Sequence, residues 1–418
     1  MRIAGRTAFL VLNQVDRFTN GFYSGLSEAE RHENPYRGYE INRARGNVVR
    51  SHTDRGWVVL GFDETRAAFR DPRLSSDLRK NRFIASLLRA AADGGPVALL
   101  DDPNMLGLDP PDHTRLRKLA NHAFTNRLVQ SLAPHIAEIV DECLDKVADD
   151  HFDVVEILAK PLPAIVIAEL LGLPAEDRER FQFLSDELLK LTHIDKPEDM
   201  EEGSRANAEL MEYFRELAAI KREKPGQDLI SQLIAAEEEG DRLSEEEMYS
   251  MCVLLLIAGH ETTTRLIGNG LYLLLTHPDQ MALLREDASL IPNAVEEMLR
   301  FEPPIQVMPR FATEDMEFGG KQIRKDQLVL PMIGAANRDP AANDSPNEFN
   351  VRRENIQHVA FGYGIHLCLG LALARLEARI AFEKLLERYP HMTLPEQDFG
   401  WTGIGIVRGL EQLVVDVR

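Results

Sequence analysis

The sequence predicts a mainly α fold with a small β portion, built as a single large domain. Three observations lead there. Apolar residues recur three and four apart through residues 128–301, as in Ile136, Ile139, Val140, Leu144 and Val147, which is the period of helices with one buried face. Strand-like segments are few and short, at residues 47–60, 316–332 and 404–417, each holding β-branched residues beside turn residues. No repeat, low-complexity tract or Pro/Gly/Ser linker divides the 418 residues, and a single domain of that length has room to wrap its core around a bound group.

Composition narrows the function classes. With 44% hydrophobic and 28% charged residues the chain can bury a substantial core, and disorder is not indicated. No apolar run approaches the roughly 20 residues needed to span a bilayer; residues 251–258 come nearest and end at Gly259, His260 and Glu261. Arg2 and Arg6 precede only a short apolar patch at residues 8–12, less than the about 7 to 15 residues of a secretory core, so no signal peptide is expected. Three widely spaced cysteines, Cys143, Cys252 and Cys368, suit a reducing compartment, and the expected location is cytoplasmic. A net charge of −20 argues against nucleic acid and anionic membrane surfaces as partners. The charge is uneven: residues 1–130 hold 20 basic and 15 acidic side chains of the 48 and 68 in the whole chain, a basic sector able to orient an acidic partner.

The most informative helix begins at Ser244, with Glu247 three residues later as a capping box, and its apolar pattern runs to about Leu275. Its interior is broken by Gly259, costing about 1 kcal/mol relative to alanine, and then by charged and hydroxyl groups between two apolar runs. A polar break in a helix buried all round marks a candidate site.

A second candidate is Phe361-Gly362-Tyr363-Gly364-Ile365-His366-Leu367-Cys368-Leu369-Gly370, which leads into a helix over residues 371–389. Glycines permit positive φ angles and close approach to a planar ligand, and a helix start turns unpaired N–H groups toward a thiolate, which lowers the cysteine pKa. Competing motifs fail. Leu367 stands where a dinucleotide fingerprint has its third glycine, Thr264 where a zinc-protease helix has its second histidine, and Gln322 where a phosphate loop continues after Gly319-Gly320-Lys321.

The pattern Phe-Gly-x-Gly-x-His-x-Cys-x-Gly resembles the haem-binding segment of the cytochrome P-450 superfamily, and its six specified residues would arise by chance in roughly one window in 10⁸. Three further motifs stand in the family's order: Ala258-Gly259-His260-Glu261-Thr262-Thr263, Glu297-Met298-Leu299-Arg300, and Asn337-Arg338-Asp339-Pro340 leading to Phe349 and Arg352. The segment from Asp109 to His113 resembles the soluble bacterial type. The resemblance covers nearly the whole chain and implies the cytochrome P-450 fold around a buried haem b.

Carried onto this sequence, the resemblance makes Cys368 the axial thiolate and sole metal ligand, with Phe361, Gly362 and Gly370 around it. It implies His113, Arg117, Arg310 and His366 as partners of the haem propionates, and Ala258 and Gly259 as the small residues over the other haem face. Glu261 and Thr262 become the acid and alcohol that relay protons for oxygen activation. Glu297, Arg300 and Arg352 become a buried structural ion network. Leu254, Ala258, Ile305, Val307, Ile404 and Ile406, with the loop over residues 84–108, become a mostly apolar substrate pocket.

The expected function is insertion of one atom of O2 into a small hydrophobic organic substrate by hydroxylation or epoxidation. The chain ends 50 residues after Cys368, so a fused reductase is not expected; electrons are expected from a separate ferredoxin and ferredoxin reductase. Arg115 and Lys118, on the helix of His113 and Arg117, are expected to meet solvent and guide that acidic donor. A haem-based gas sensor or carrier has no evident need for the Glu261 and Thr262 pair, and peroxide-driven peroxygenases of this fold tend to lack it.

Overall fold

The computed structural model describes residues 34–51, 56–82, 104–190, 197–238, 243–401 and 406–417. Contacts group the chain into two compact units. Among the described residues, those in Ser75–Thr125 and Ala164–Glu261 make the first, and those in Phe18–Leu74, Asn126–Pro163 and Thr262–Arg418 make the second.

Helices dominate, as the apolar periodicity predicts, and none among the described residues is long and apolar enough to cross a membrane. In the first unit Arg178–Leu189 packs along Pro197–Glu223, with the Phe181 ring edge-on to Phe214 at 6.2 Å. The capped helix runs Glu245–Thr276, within one residue of its expected end. Ser244 Oγ accepts the Glu247 amide at 3.2 Å and Glu247 Oε2 accepts the Ser244 amide at 2.9 Å, so two amides that the helix start leaves open are satisfied reciprocally.

The second unit carries the main sheet. Val48–Arg50 pairs antiparallel with Gly56–Val59, which runs parallel to Leu328–Pro331, which in turn pairs antiparallel with Arg310–Ala312. Alternation along the strands sorts the side chains. Val49, Val58 and Leu330 join Tyr36 and Tyr39 on one face, while Val48, Val59 and Val329 join Met316, Phe318 and Ile323 on the other.

The strand His151–Asp153 lies inside the stretch read as helical and pairs with Val414–Val417. Three residues are too short to carry a period of their own, so only the long-range pairing makes them a strand. The next turn, Val155–Ala159, is a π-helix, and the Ala159 carbonyl accepts the Thr264 hydroxyl at 3.0 Å.

The helix Leu371–Arg388 packs against Ala133–Leu144 and Ile291–Phe301, and Lys384 meets Asp141 at 2.8 Å. Its buried face includes one acid, Glu377, whose Oε2 is buried without a hydrogen-bond partner and whose carboxyl is pushed up to about 8 by burial. Raising a folded-state pKa above the unfolded value means the acid binds its proton more tightly when folded. Stability therefore falls as pH rises through that window, by up to about 1.4 kcal/mol per pH unit, and levels off above it. Glu377→Gln should flatten the dependence of unfolding free energy on pH between about 4.5 and 8. Denaturant titrations across that range check it, and an unchanged slope rules the assignment out.

Candidate active site

Cys368 follows a turn that two glycines make. Gly362 and Gly364 hold φ at +72° and +74°, where other residues are strained. A Cβ on Gly364 would stand 2.7 Å from the Phe69 carbonyl oxygen, so glycine alone lets the loop lie on the helix Phe62–Arg70. Amides close the turn: Gly362 donates to Val359 at 2.8 Å, Leu367 to Gly364 at 3.2 Å and Cys368 to Phe361 at 2.9 Å. Tyr363 Oη accepts Arg66 at 2.6 Å and Arg70 at 2.7 Å, fastening the loop to that helix.

Cys368 is half-buried, and the helix Leu371–Arg388 begins three residues later, with its positive end close in sequence to the sulfur. A Cβ on Gly370 would meet nothing within 4 Å, which leaves space for a flat ligand. Cys143 and Cys252 differ: each is 1% exposed, and burial raises both thiols, that of Cys252 to about 12. Both remain protonated at neutral pH. One accessible thiol on a glycine turn, with room beside it, fits the iron of a planar macrocycle.

The polar break of the long helix divides by face. Residues 251–256 are buried, yet Ala258 is exposed and Gly259, Glu261 and Thr262 are half-buried. A Cβ on Gly259 would touch only Ile167, at 3.8 Å, so this surface has room above it. His260 belongs to the buried face, 1% exposed, with Nδ1 at 2.8 Å from Ser185 Oγ. Sequence reasoning missed this pair because its members stand 75 residues apart.

His113 and Arg117 lie one turn apart on Asp112–Ala123. His113 is buried, and burial, then Arg117, lower its pKa against the opposing pull of Asp109. Asp109 accepts Lys80 at 2.7 Å and the Ser76 amide at 3.2 Å, and it also bonds Ser75. On the second unit, buried Arg310 sits over the Phe69 ring at 5.2 Å, and His366 is half-buried in the turn Gly364–His366.

Two sequence expectations are corrected. Arg115 does not stand open beside Lys118, because its guanidinium grips the capping carboxylate of Glu247, with Nη1 at 3.0 Å from Oε2. Arg352 is not the third member of the buried ion network. Arg300 Nε and Arg353 Nε stand 2.6 and 3.1 Å from Glu297 Oε2, whereas Arg352 is exposed. Successive residues of the turn point apart, and only Arg353 faces the carboxylate.

Of the proposed pocket, Leu254 and Val307 are buried, Ala258 and Ile406 are exposed, and Ile305 bridges to Val407. Ile404 and residues 84–103 of the loop lie outside the described residues. Leu108 is buried and Leu106 is exposed.

Comparisons with known proteins identify the family. A family model described as Cytochrome P450 matches residues 100–402. The cytochrome P450 monooxygenase PikC of Streptomyces venezuelae is 42% identical over 394 residues, covering 92% of this chain and 91% of its own. The 6-deoxyerythronolide B hydroxylase of Saccharopolyspora erythraea is 41% identical over 392 residues, covering 92% and 96%. The crystal structure of CYP109E1 from Bacillus megaterium in complex with testosterone superposes with a TM-score of 0.81 at 34% identity, covering 92% and 99%. The chain belongs to the cytochrome P450 family, and it is a haem-thiolate monooxygenase.

Glu297 and Arg300 have side chains 0% exposed, so removing one partner strands a buried charge. Arg353→Ala should cost clearly more stability than Arg352→Ala, which should lose less than about 0.5 kcal/mol. Chemical denaturation of the two variants side by side decides it, and equal losses would restore Arg352 to the network.

Proposed function

We propose that this chain inserts one oxygen atom into a hydrophobic organic substrate by hydroxylation or epoxidation, with electrons supplied singly by a ferredoxin and its reductase. The observation that carries the reading is the half-buried Cys368 on its positive-φ glycine turn, alone among the three cysteines in being accessible. A hydrophobic organic substrate is in keeping with the names of two relatives, a 6-deoxyerythronolide B hydroxylase and CYP109E1 in complex with testosterone.

The roles divide among residues as follows. Cys368 would hold the iron of haem b through its sulfur, with the start of the helix Leu371–Arg388 three residues on. His113, Arg117, Arg310 and His366 are the groups that would hold the haem propionates by charge-assisted hydrogen bonds. When bound, the haem supplies oxygen activation, and sulfur donation favours O–O cleavage. Ala258 and Gly259 present no bulk toward it. The Thr262 hydroxyl and the Glu261 carboxylate hold and pass the protons that the reaction consumes. Leu254, Ile305, Val307 and Ile406 offer apolar surface to the substrate and exclude water. The helix Asp112–Ala123, with Arg115 and exposed Lys118, is the surface assigned to an acidic donor.

Cys368→Ala should abolish the thiolate-type carbon monoxide difference spectrum, while Cys143→Ala and Cys252→Ala keep it. An unchanged spectrum in the Cys368 variant defeats the ligation reading. Thr262→Ala should retain haem and substrate binding but divert electrons to hydrogen peroxide, lowering product per electron severalfold. Coupling measured with ferredoxin, reductase and a substrate found by haem spectral shift tests this, and wild-type coupling would remove Thr262 from the relay.

A further inference from the structure

Next to the Cys368 turn lies a charged cluster that the roles above leave unused. Phe361 provides the carbonyl that holds the Cys368 amide at 2.9 Å. Over its ring, 4.5 Å from the centroid, lies the guanidinium of Arg375, from the second turn of Leu371–Arg388. Arg375 forks onto Glu296, with Nε at 2.6 Å from Oε1 and Nη2 at 2.7 Å from Oε2. His358 reaches the same carboxylate with Nε2 at 3.0 Å, and its ring packs beside Phe361 with centroids 6.1 Å apart. The Ala360 amide donates to His358 Nδ1 at 3.2 Å, so Nδ1 is the acceptor and Nε2 carries the proton given to Glu296.

Burial pushes the Glu296 carboxyl up, but the hydrogen bonds of His358 and Arg375 outweigh it and hold the group at about 2. Glu296 is therefore a fixed anion facing the Arg375 guanidinium beside the residue that positions the cysteine.

We propose that Glu296 and Arg375 are positioning residues of the thiolate centre: together they hold Phe361, and their opposite charges set the reduction potential of the iron bound at Cys368. The inference rests on the ligation reading above. An electron added near a cation is stabilised, and one added near an anion is disfavoured. Deleting the Arg375 charge must then make reduction harder, and deleting the Glu296 charge must make it easier. Both side chains keep some solvent contact, at 36% and 28% exposure, so salt should weaken the effect. A mere structural staple makes a different forecast: losing either partner loosens Phe361, and the two losses act in one direction.

The test uses haem-loaded protein and the variants R375Q, E296Q, R375K and the double variant E296Q/R375Q. Potentials are read by spectroelectrochemical titration with dithionite and mediator dyes, alongside the carbon monoxide spectrum. The expected result is a negative shift for R375Q, a positive shift for E296Q, a smaller change for R375K, and a return toward wild type in the double variant. All should shrink as salt is raised. Shifts of one sign in both single variants, no shift in either, or a double variant more displaced than both overturn the proposal. If one single variant fails to hold haem, the double variant and R375K still decide between charge and staple. A wild-type protein without a thiolate-type band fails the ligation reading first and takes this inference with it.

Discussion

The second unit depends on one buried carboxylate. Glu297 has no exposed side-chain surface, and an unpaired charge there would cost several kcal/mol, so the chain around it must deliver cations and hydrogen bonds. Arg300 and Arg353 answer that demand and then extend it. Arg300 bonds the carbonyls of Asn337, Pro346 and Glu348 at 3.3, 2.8 and 3.1 Å, tying the end of the helix Ile333–Asn337 to the irregular segment that follows it. From Asn337 the order passes to the active loop. Its Oδ1 accepts the Val359 amide at 2.8 Å, the Val359 carbonyl accepts Gly362, and the Phe361 carbonyl accepts Cys368. A charge buried more than 70 residues earlier in sequence thus fixes where the cysteine backbone sits.

The same unit repeats the device elsewhere. Glu302, buried, accepts Arg408 Nε at 2.8 Å and Tyr36 Oη at 2.9 Å, and Arg338 lies between the Tyr36 and Phe301 rings at 3.3 and 3.6 Å. Guanidinium forks suit this use because they are planar, always charged and able to bond and stack at once. Around Tyr363 two arginines do the stacking, at 4.5 and 4.4 Å, and hold the glycine turn against its helix.

The long helix solves a different problem, that of carrying polar groups through a buried region without unravelling. It does so by giving its polar residues partners on other elements. His260 bonds Ser185 and Thr264 bonds the Ala159 carbonyl, so the buried face is satisfied, while Ala258, Gly259, Glu261 and Thr262 keep accessible surface. A hydroxyl turned back on its own helix would have bent the axis instead.

Much of this was legible in the residues alone. Helical periodicity, the Ser244 and Glu247 cap, the glycine turn before Cys368 and the polar break after Ala258 are local patterns, and each states a local physical need: a buried face, an open amide, a positive φ, a gap in packing. Partner choice was not legible. Whether Arg352 or Arg353 meets Glu297, whether Arg115 faces solvent or Glu247, which histidine finds Ser185, and that Glu296 gathers His358 and Arg375 are all matters of distance between segments far apart in the chain. The strand His151–Asp153 exists only because Val414–Val417 lies alongside. The sequence by itself therefore determined the helical character, the capped helix start and the glycine turn, and nominated the side chains proposed for the chemistry. The tertiary structure alone decided which charges meet, because hydrogen bonds and ion pairs act over a few ångströms and no local pattern encodes a distant neighbour.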